Sequence, residues 1–418
     1  MRETITLKDA HNYMLNELGM DMGLVTDILI DDRLKILPEQ FCGKVCVHKD
    51  NLEEVIKTKK MIKFNTKNRG KDNFSTTLRK NILNYFKEND LSMTANMGMI
   101  IKTIVMISIY VVPFILLVTL NPNMWVSIGL VILMGLGIAG TGMCVMHDAV
   151  HGAYSKKKWV NKILGGTLYL LGCNTLNWKI QHNILHHTYT NISEHDEDVN
   201  TKGPIRLHKD VPLKKIHKYQ YVHAFFFYGL MTLSKMYNDF PQLIKYNKMG
   251  LTKKQKVKPK QELIKMIIRK IAYLSIVIGL PLIVSDYNIL EVIIGFLLMH
   301  WVAGFILSVI FQLAHVVEGA QQTTPPEDGN MENEFAVHQL LTTSDFGRDS
   351  KLLSWLVGGL NFQIEHHLFP HICHIHYKKL SYIVEETAKQ YNLPYNTKKT
   401  FFSALNSHIK QLKILGNT

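Results

Sequence analysis

Two pairs of long apolar runs set what this chain can fold into. Residues 103–120 and 124–146 are separated only by Asn121-Pro122-Asn123, and the runs 266–284 and 289–314 only by a short turn around Ser285-Asp286-Tyr287. A helix crosses a bilayer core with about 20 mostly apolar residues. Each pair therefore reads as a tight hairpin of membrane helices. Pro113 falls inside the first run, as lipid-embedded helices tolerate. The third run is the weakest. Arg269 and Lys270 intrude on it, leaving 271–284 free of charge, and both are expected to snorkel toward one surface.

Charge orients the hairpins. Neither tight turn carries Lys or Arg, whereas the N-terminal arm, segment 147–265 and the C-terminal tail are rich in them. Both hairpins then dip through the membrane from one side, with both termini cytosolic. The net charge of +14, from 48 Lys plus Arg against 34 Asp plus Glu, would also suit nucleic acid. The basic runs 57–71 and 253–260 flank apolar spans instead, so membrane lipids are the expected partner and nucleic acid is not. Residues 1–10 lack an apolar run, so no signal peptide is expected. The five cysteines show no paired motif beyond the four-residue spacing of Cys42 and Cys46, and all read as reduced thiols. The shorter apolar stretches 163–176 and 223–236 read equally as interfacial, as covers for a site, or as soluble core.

Chemistry enters with three histidine clusters: His147-Asp148-Ala149-Val150-His151, His182-Asn183-Ile184-Leu185-His186-His187, and Gln363-Ile364-Glu365-His366-His367. In the first two, histidines four apart share a helix face. His186 and His187 point about 100° apart, so each is free to serve a different metal. Seven imidazoles exceed one coordination sphere. Structural zinc takes four ligands and often cysteine, and the His-Glu-x-x-His of zinc proteases is absent, so a histidine-rich dinuclear iron centre fits better. All three clusters fall on the predicted cytosolic side, just beyond the spans. The expected fold is an all-α integral membrane protein, with four transmembrane helices in two hairpins under a cytosolic helical cap that carries a dinuclear metal site.

Taken together, the boxes resemble those of the membrane fatty acid desaturases. The third, with Gln363 in place of the usual first histidine and set in Gly358-Gly359-Leu360-Asn361-Phe362 before it and Leu368-Phe369-Pro370 after, resembles the front-end group. That group places a cis double bond between an existing one and the carboxyl end. The likeness covers residues 62–395, leaving an N-terminal extension (1–61) and a C-terminal tail (396–418). It implies that His147, His151, His182, His186, His187, His366 and His367 are catalytic iron ligands. It further implies a ligand at the cytosolic end of the last span, where His315 stands in Phe311-Gln312-Leu313-Ala314-His315, and makes Gln363 a weak ligand or one acting through water. Asp148, Asp196 and Glu365 are candidates to orient the imidazoles.

The same resemblance implies two Fe ions as cofactor, O2 and an acyl-CoA or acyl-lipid as substrates, and two electrons per turnover. Many front-end relatives carry a fused cytochrome b5 domain with His-Pro-Gly-Gly, which does not occur in this sequence. A separate donor, cytochrome b5 or a ferredoxin, is then expected to dock on the basic face. The membrane would be the endoplasmic reticulum in a eukaryote and the plasma membrane in a bacterium. Two other readings stay open: a di-iron lipid hydroxylase on the same scaffold, and a histidine-rich metal transporter. Transport would need ionisable residues along the spans. Arg269, Lys270, Glu291 and His300 are the ones present in the runs delimited above.

Overall fold

The computed structural model describes residues 4–14, 46–53, 62–66, 72–201, 203–326 and 328–418, with Leu29, Leu34 and 36–37 besides. By contacts it divides into two units. The smaller comprises 1–67 and 325–334, the larger 68–324 and 335–418. In the smaller unit, Cys46–His48 pairs antiparallel with both Thr4–Thr6 and Ile36–Leu37. Ala10, Met14, Val47 and Leu52 form its core. Cys46 is disulfide-bonded, which corrects the all-thiol expectation. A disulfide needs only two close Cβ atoms, not a recognisable motif. Cys144, Cys173 and Cys373 are free and buried.

In the larger unit four helices are long and apolar enough to cross a membrane: span 1 (Met97–Leu120), span 2 (Met124–His151), span 3 (Pro259–Val284) and span 4 (Ile289–His315). Asn96, Asn123 and Asn288 cap spans 1, 2 and 4, each accepting a first-turn N–H. Span 2 lies at the centre because glycine lets its neighbours close in. A Cβ on Gly137 would sit 2.5 Å from the Tyr110 backbone nitrogen of span 1, and one on Gly135 would sit 2.8 Å from the Met299 carbonyl of span 4. Outward residues such as Trp125 and Ile283 are exposed and suited to lipid. The two tight turns are joined: the Asn121 amide donates to Asp286 Oδ2 at 3.1 Å, and Ser127 bonds Tyr287 at 2.7 Å. Both turns thus lie at one end of the bundle, opposite His151 and His315. The chain is an integral membrane protein.

Two details of the spans depart from the sequence reading. Span 1 begins six residues earlier than expected and includes Lys102, buried and 3.0 Å from His374 Nε2. Lys270 does not snorkel. Its ammonium is buried in bonds to Asp239 Oδ2 (2.7 Å), the Gly172 carbonyl (2.7 Å) and the Met236 carbonyl (2.8 Å). Pairing with a carboxylate replaces the hydration that a surface position would provide. Arg269 does remain partly exposed, stacked on Tyr169.

The cap closes over the opposite end. Phe74–Glu88 lays Phe74, Leu78, Ile82 and Phe86, a four-residue repeat, against Leu380, Val384 and Ala388 of Tyr377–Gln390. Phe401–Leu415 packs on Gln220–Gly229, where His408 donates to or accepts from Tyr228 at 2.9 Å. A short parallel pair, Asp345–Phe346 with Thr397–Lys398, pins the tail beside the third box.

Candidate metal centre

Each box arrives on a helix whose local geometry suits its spacing. Span 2 changes to a π-type turn at Gly142–Met146 before delivering His147 and His151. A second π-type stretch, Ile180–His186, carries the second box. Hydrogen bonds from i to i+5 widen the turn, so residues four and five apart share one side. His182 accordingly stacks on His186 with ring centroids 5.3 Å apart and meets His187 at 3.2 Å between Nε2 atoms. Gln363–Leu368 brings His366 and His367 from the cap side, and span 4 ends on His315.

The eight imidazoles converge. Ring nitrogens of His147, His151, His182 and His366 all lie within 4.8 Å of one another, as do those of His186, His315 and His367, and of His187, His366 and His367. Two adjoining nests result, with His187 and His366 between them. Metal–nitrogen bonds of about 2.0–2.1 Å bring ligand nitrogens to such separations. The fit is also electrostatic. His151 Nε2, His187 Nδ1, His366 Nε2, His367 Nε2 and both nitrogens of His315 are buried without a hydrogen-bond partner among the described residues. Each such atom costs about 1–3 kcal/mol unless something else binds it, and a metal cation is one partner that would satisfy them. Burial and then neighbouring imidazoles push His182, His187, His366 and His367 well below the usual histidine value, keeping them in the neutral, ligating form.

Supporting contacts are uneven. Burial alone would lower His186, but Asp196 outweighs it and raises the ring, with Nδ1 3.0 Å from Oδ2 and 3.1 Å from Oδ1. His367 Nδ1 meets Gln339 Oε1 at 3.0 Å, and His366 Nδ1 meets the Tyr377 hydroxyl at 3.3 Å. Asp148 lies 4.0 Å from His147 Nδ1 but turns to His374, at 2.8 Å. Glu365 bonds Tyr395 at 3.0 Å and holds no imidazole, because the helix points it away from the nests. Gln363 is buried beside His315, its amide nitrogen unpartnered. His371 is exposed, and His338 is tied to the Thr190 carbonyl at 2.9 Å. Sequence reasoning missed Asp198, 3.6 Å from His186 Nδ1, and Trp178, whose ring lies 4.4 Å from that of His182. Their closeness to the second box was the available signal.

A cavity of about 670 Å³ opens against His147, His182, His186 and His315. Its apolar wall includes Met143, Met146, Leu168, Leu171, Leu307 and Phe311. The stretches 163–176 and 223–236 both contribute, so each helps to enclose the site.

Residues 123–399 match the family model for fatty acid desaturase. The chain belongs to the fatty acid desaturase family. Among curated relatives of this desaturase is the sn-1 linoleoyl-lipid 6-desaturase of Arthrospira platensis, 31% identical over 81% of the chain and 92% of the relative. The protein of the same name in Synechocystis is 32% identical over 86% and 99%. An acyl-lipid (8-3)-desaturase of Physcomitrium patens is 31% identical over 83% and 72%. The desaturase is therefore an oxidoreductase, and its three histidine boxes lie inside the matched region.

Proposed function

We propose that this desaturase inserts a cis double bond near the carboxyl end of a lipid-bound acyl chain, using O2 and two electrons from a separate donor protein. The observation that carries the reading is the double nest of eight imidazoles, four of which line a largely apolar cavity. The relatives' names, with 6-desaturation of a linoleoyl lipid foremost, support front-end regiochemistry and an acyl-lipid carrier. Two hydrogens leave adjacent carbons, and with two electrons and two protons they reduce O2 to two waters.

His147, His151, His182 and His366 would hold one iron, and His186, His315 and His367 the other, with His187 completing the set and Gln363 beside His315. When bound, such a pair supplies dioxygen activation. The protein's own work is positional. Asp196 and Gln339 fix the imidazoles of His186 and His367, and the cavity wall holds one carbon pair within reach. The layout is that of a desaturase domain over 62–395 between an extension and a tail. Both hairpin turns face away from the cytosol, in the endoplasmic reticulum or a bacterial plasma membrane.

Fatty-acid profiling of a host expressing the protein tests this directly. New double bonds on the carboxyl side of existing ones are expected. Hydroxylated chains instead would assign the scaffold to oxygen insertion, and an unchanged profile with metal uptake would favour a transporter.

A further inference from the structure

Among the described residues, the polar end of the cavity holds one ammonium with no carboxylate bonded to it. Among the described residues that line it, Lys235 is the one cation, set against Glu197, Asp198 and Asp239. Each of those carboxylates already has its partner. Glu197 takes Lys245 and, at 2.5 Å, the Tyr246 hydroxyl. Asp239 takes Lys270 at 2.7 Å, and Asp198 takes Gln181 Nε2 at 2.5 Å. Lys235 donates only to a neutral acceptor, Gln181 Oε1, at 2.5 Å. An ammonium has three donors, so this half-buried one keeps capacity facing the cavity.

Its place matters as much as its charge. Gln181 links Lys235 to Asp198, and Asp198 Oδ2 lies 3.6 Å from His186 Nδ1. A polar group held at Lys235 is therefore two side chains, Gln181 and Asp198, removed from His186, in the cavity that His186 also lines. The apolar wall of Met143, Met146, Leu307 and Phe311 remains for the rest of a chain. Resting on the desaturase reading above, we propose that Lys235, oriented by Gln181, binds the acyl carbonyl of the substrate and so sets which carbon pair, counted from the carboxyl end, meets the metal centre. The group is a carbonyl rather than a phosphate because Asp198, bonded to the neutral Gln181 and joined through it to Lys235, disfavours a further anion there. Ester and thioester carbonyls share this chemistry, and the experiment separates them.

Membranes carrying wild type, Lys235→Met or Lys235→Arg are supplied with electron donor and either acyl-CoA or an acyl-phospholipid. The readouts are KM, kcat, double-bond position and bound metal. With the true carrier, K235M should keep wild-type metal content, raise KM about tenfold and spread the double bond over neighbouring positions, while K235R restores a single position. The arm in which this happens identifies ester or thioester. Unchanged KM and a single position for K235M in both arms would overturn the proposal, as would loss of metal, which would mark Lys235 as structural. A wild type that makes no double bond in either arm overturns the desaturase reading itself.

Discussion

Asp196 is fully buried and accepts the backbone N–H of Asn191 at 2.9 Å and of Asp198 at 3.0 Å while holding His186 Nδ1. Those donors lock the carboxylate, and the carboxylate locks the ring with Nε2 toward the nest. Asp196→Asn should therefore weaken metal binding about 10–100-fold, measured by chelator competition on purified protein, without loss of membrane insertion. His315 is a different case, with neither ring nitrogen satisfied by a described residue. Alanine there should cost iron and activity as severely as His151→Ala. His338→Ala should be milder, because His338 spends its Nε2 on the Thr190 carbonyl. A His315 variant that keeps its iron and most of its turnover would remove it from the ligand set.

Among the elements, span 3 depends on one buried ion pair. Lys270→Met would leave Asp239 desolvated without its cation, at a cost of about 3–5 kcal/mol. The loss should show as a fall in thermal unfolding temperature in detergent, partly recovered by adding Asp239→Asn. The hydropathy of the spans was legible because lipid demands it of every residue on the outer face. The box spacings were legible because a helix repeats them. What sequence could not supply was long-range partnership. Lys270 meets Asp239 from another helix, Glu365 meets Tyr395 from the tail, and Asp148 meets His374 more than two hundred residues away. The π-type turns that carry the boxes escaped as well, since nothing in the residue types at 142–146 or 180–186 departs from ordinary helix.

For the whole molecule, the joined turns and the distant imidazoles give a bundle with two chemically distinct ends. Cysteines placed at Asn123 and Asp286 should react with an impermeant thiol reagent from the non-cytosolic side, and one at Lys256 should not. Labelling of all three from one side would break the two-hairpin topology. The cap should also be acid-labile. Burial lowers His338 and His408 to about 4, from an unfolded value near 6.5. Because the unfolded chain binds protons first, their stabilisation is intact above about pH 6.5 and is lost as pH falls toward 4, by up to about 3 kcal/mol each. Unfolding temperature should drop across that window, and His408→Gln should reduce the drop.

Eight imidazoles from two spans and the cap are expected to make a two-metal desaturase centre. Metal analysis of the purified, active protein tests it most directly. About two irons per chain is the predicted result, falling in His186→Ala and His187→Ala while membrane insertion persists. Active protein with stoichiometric zinc and no iron would contradict it.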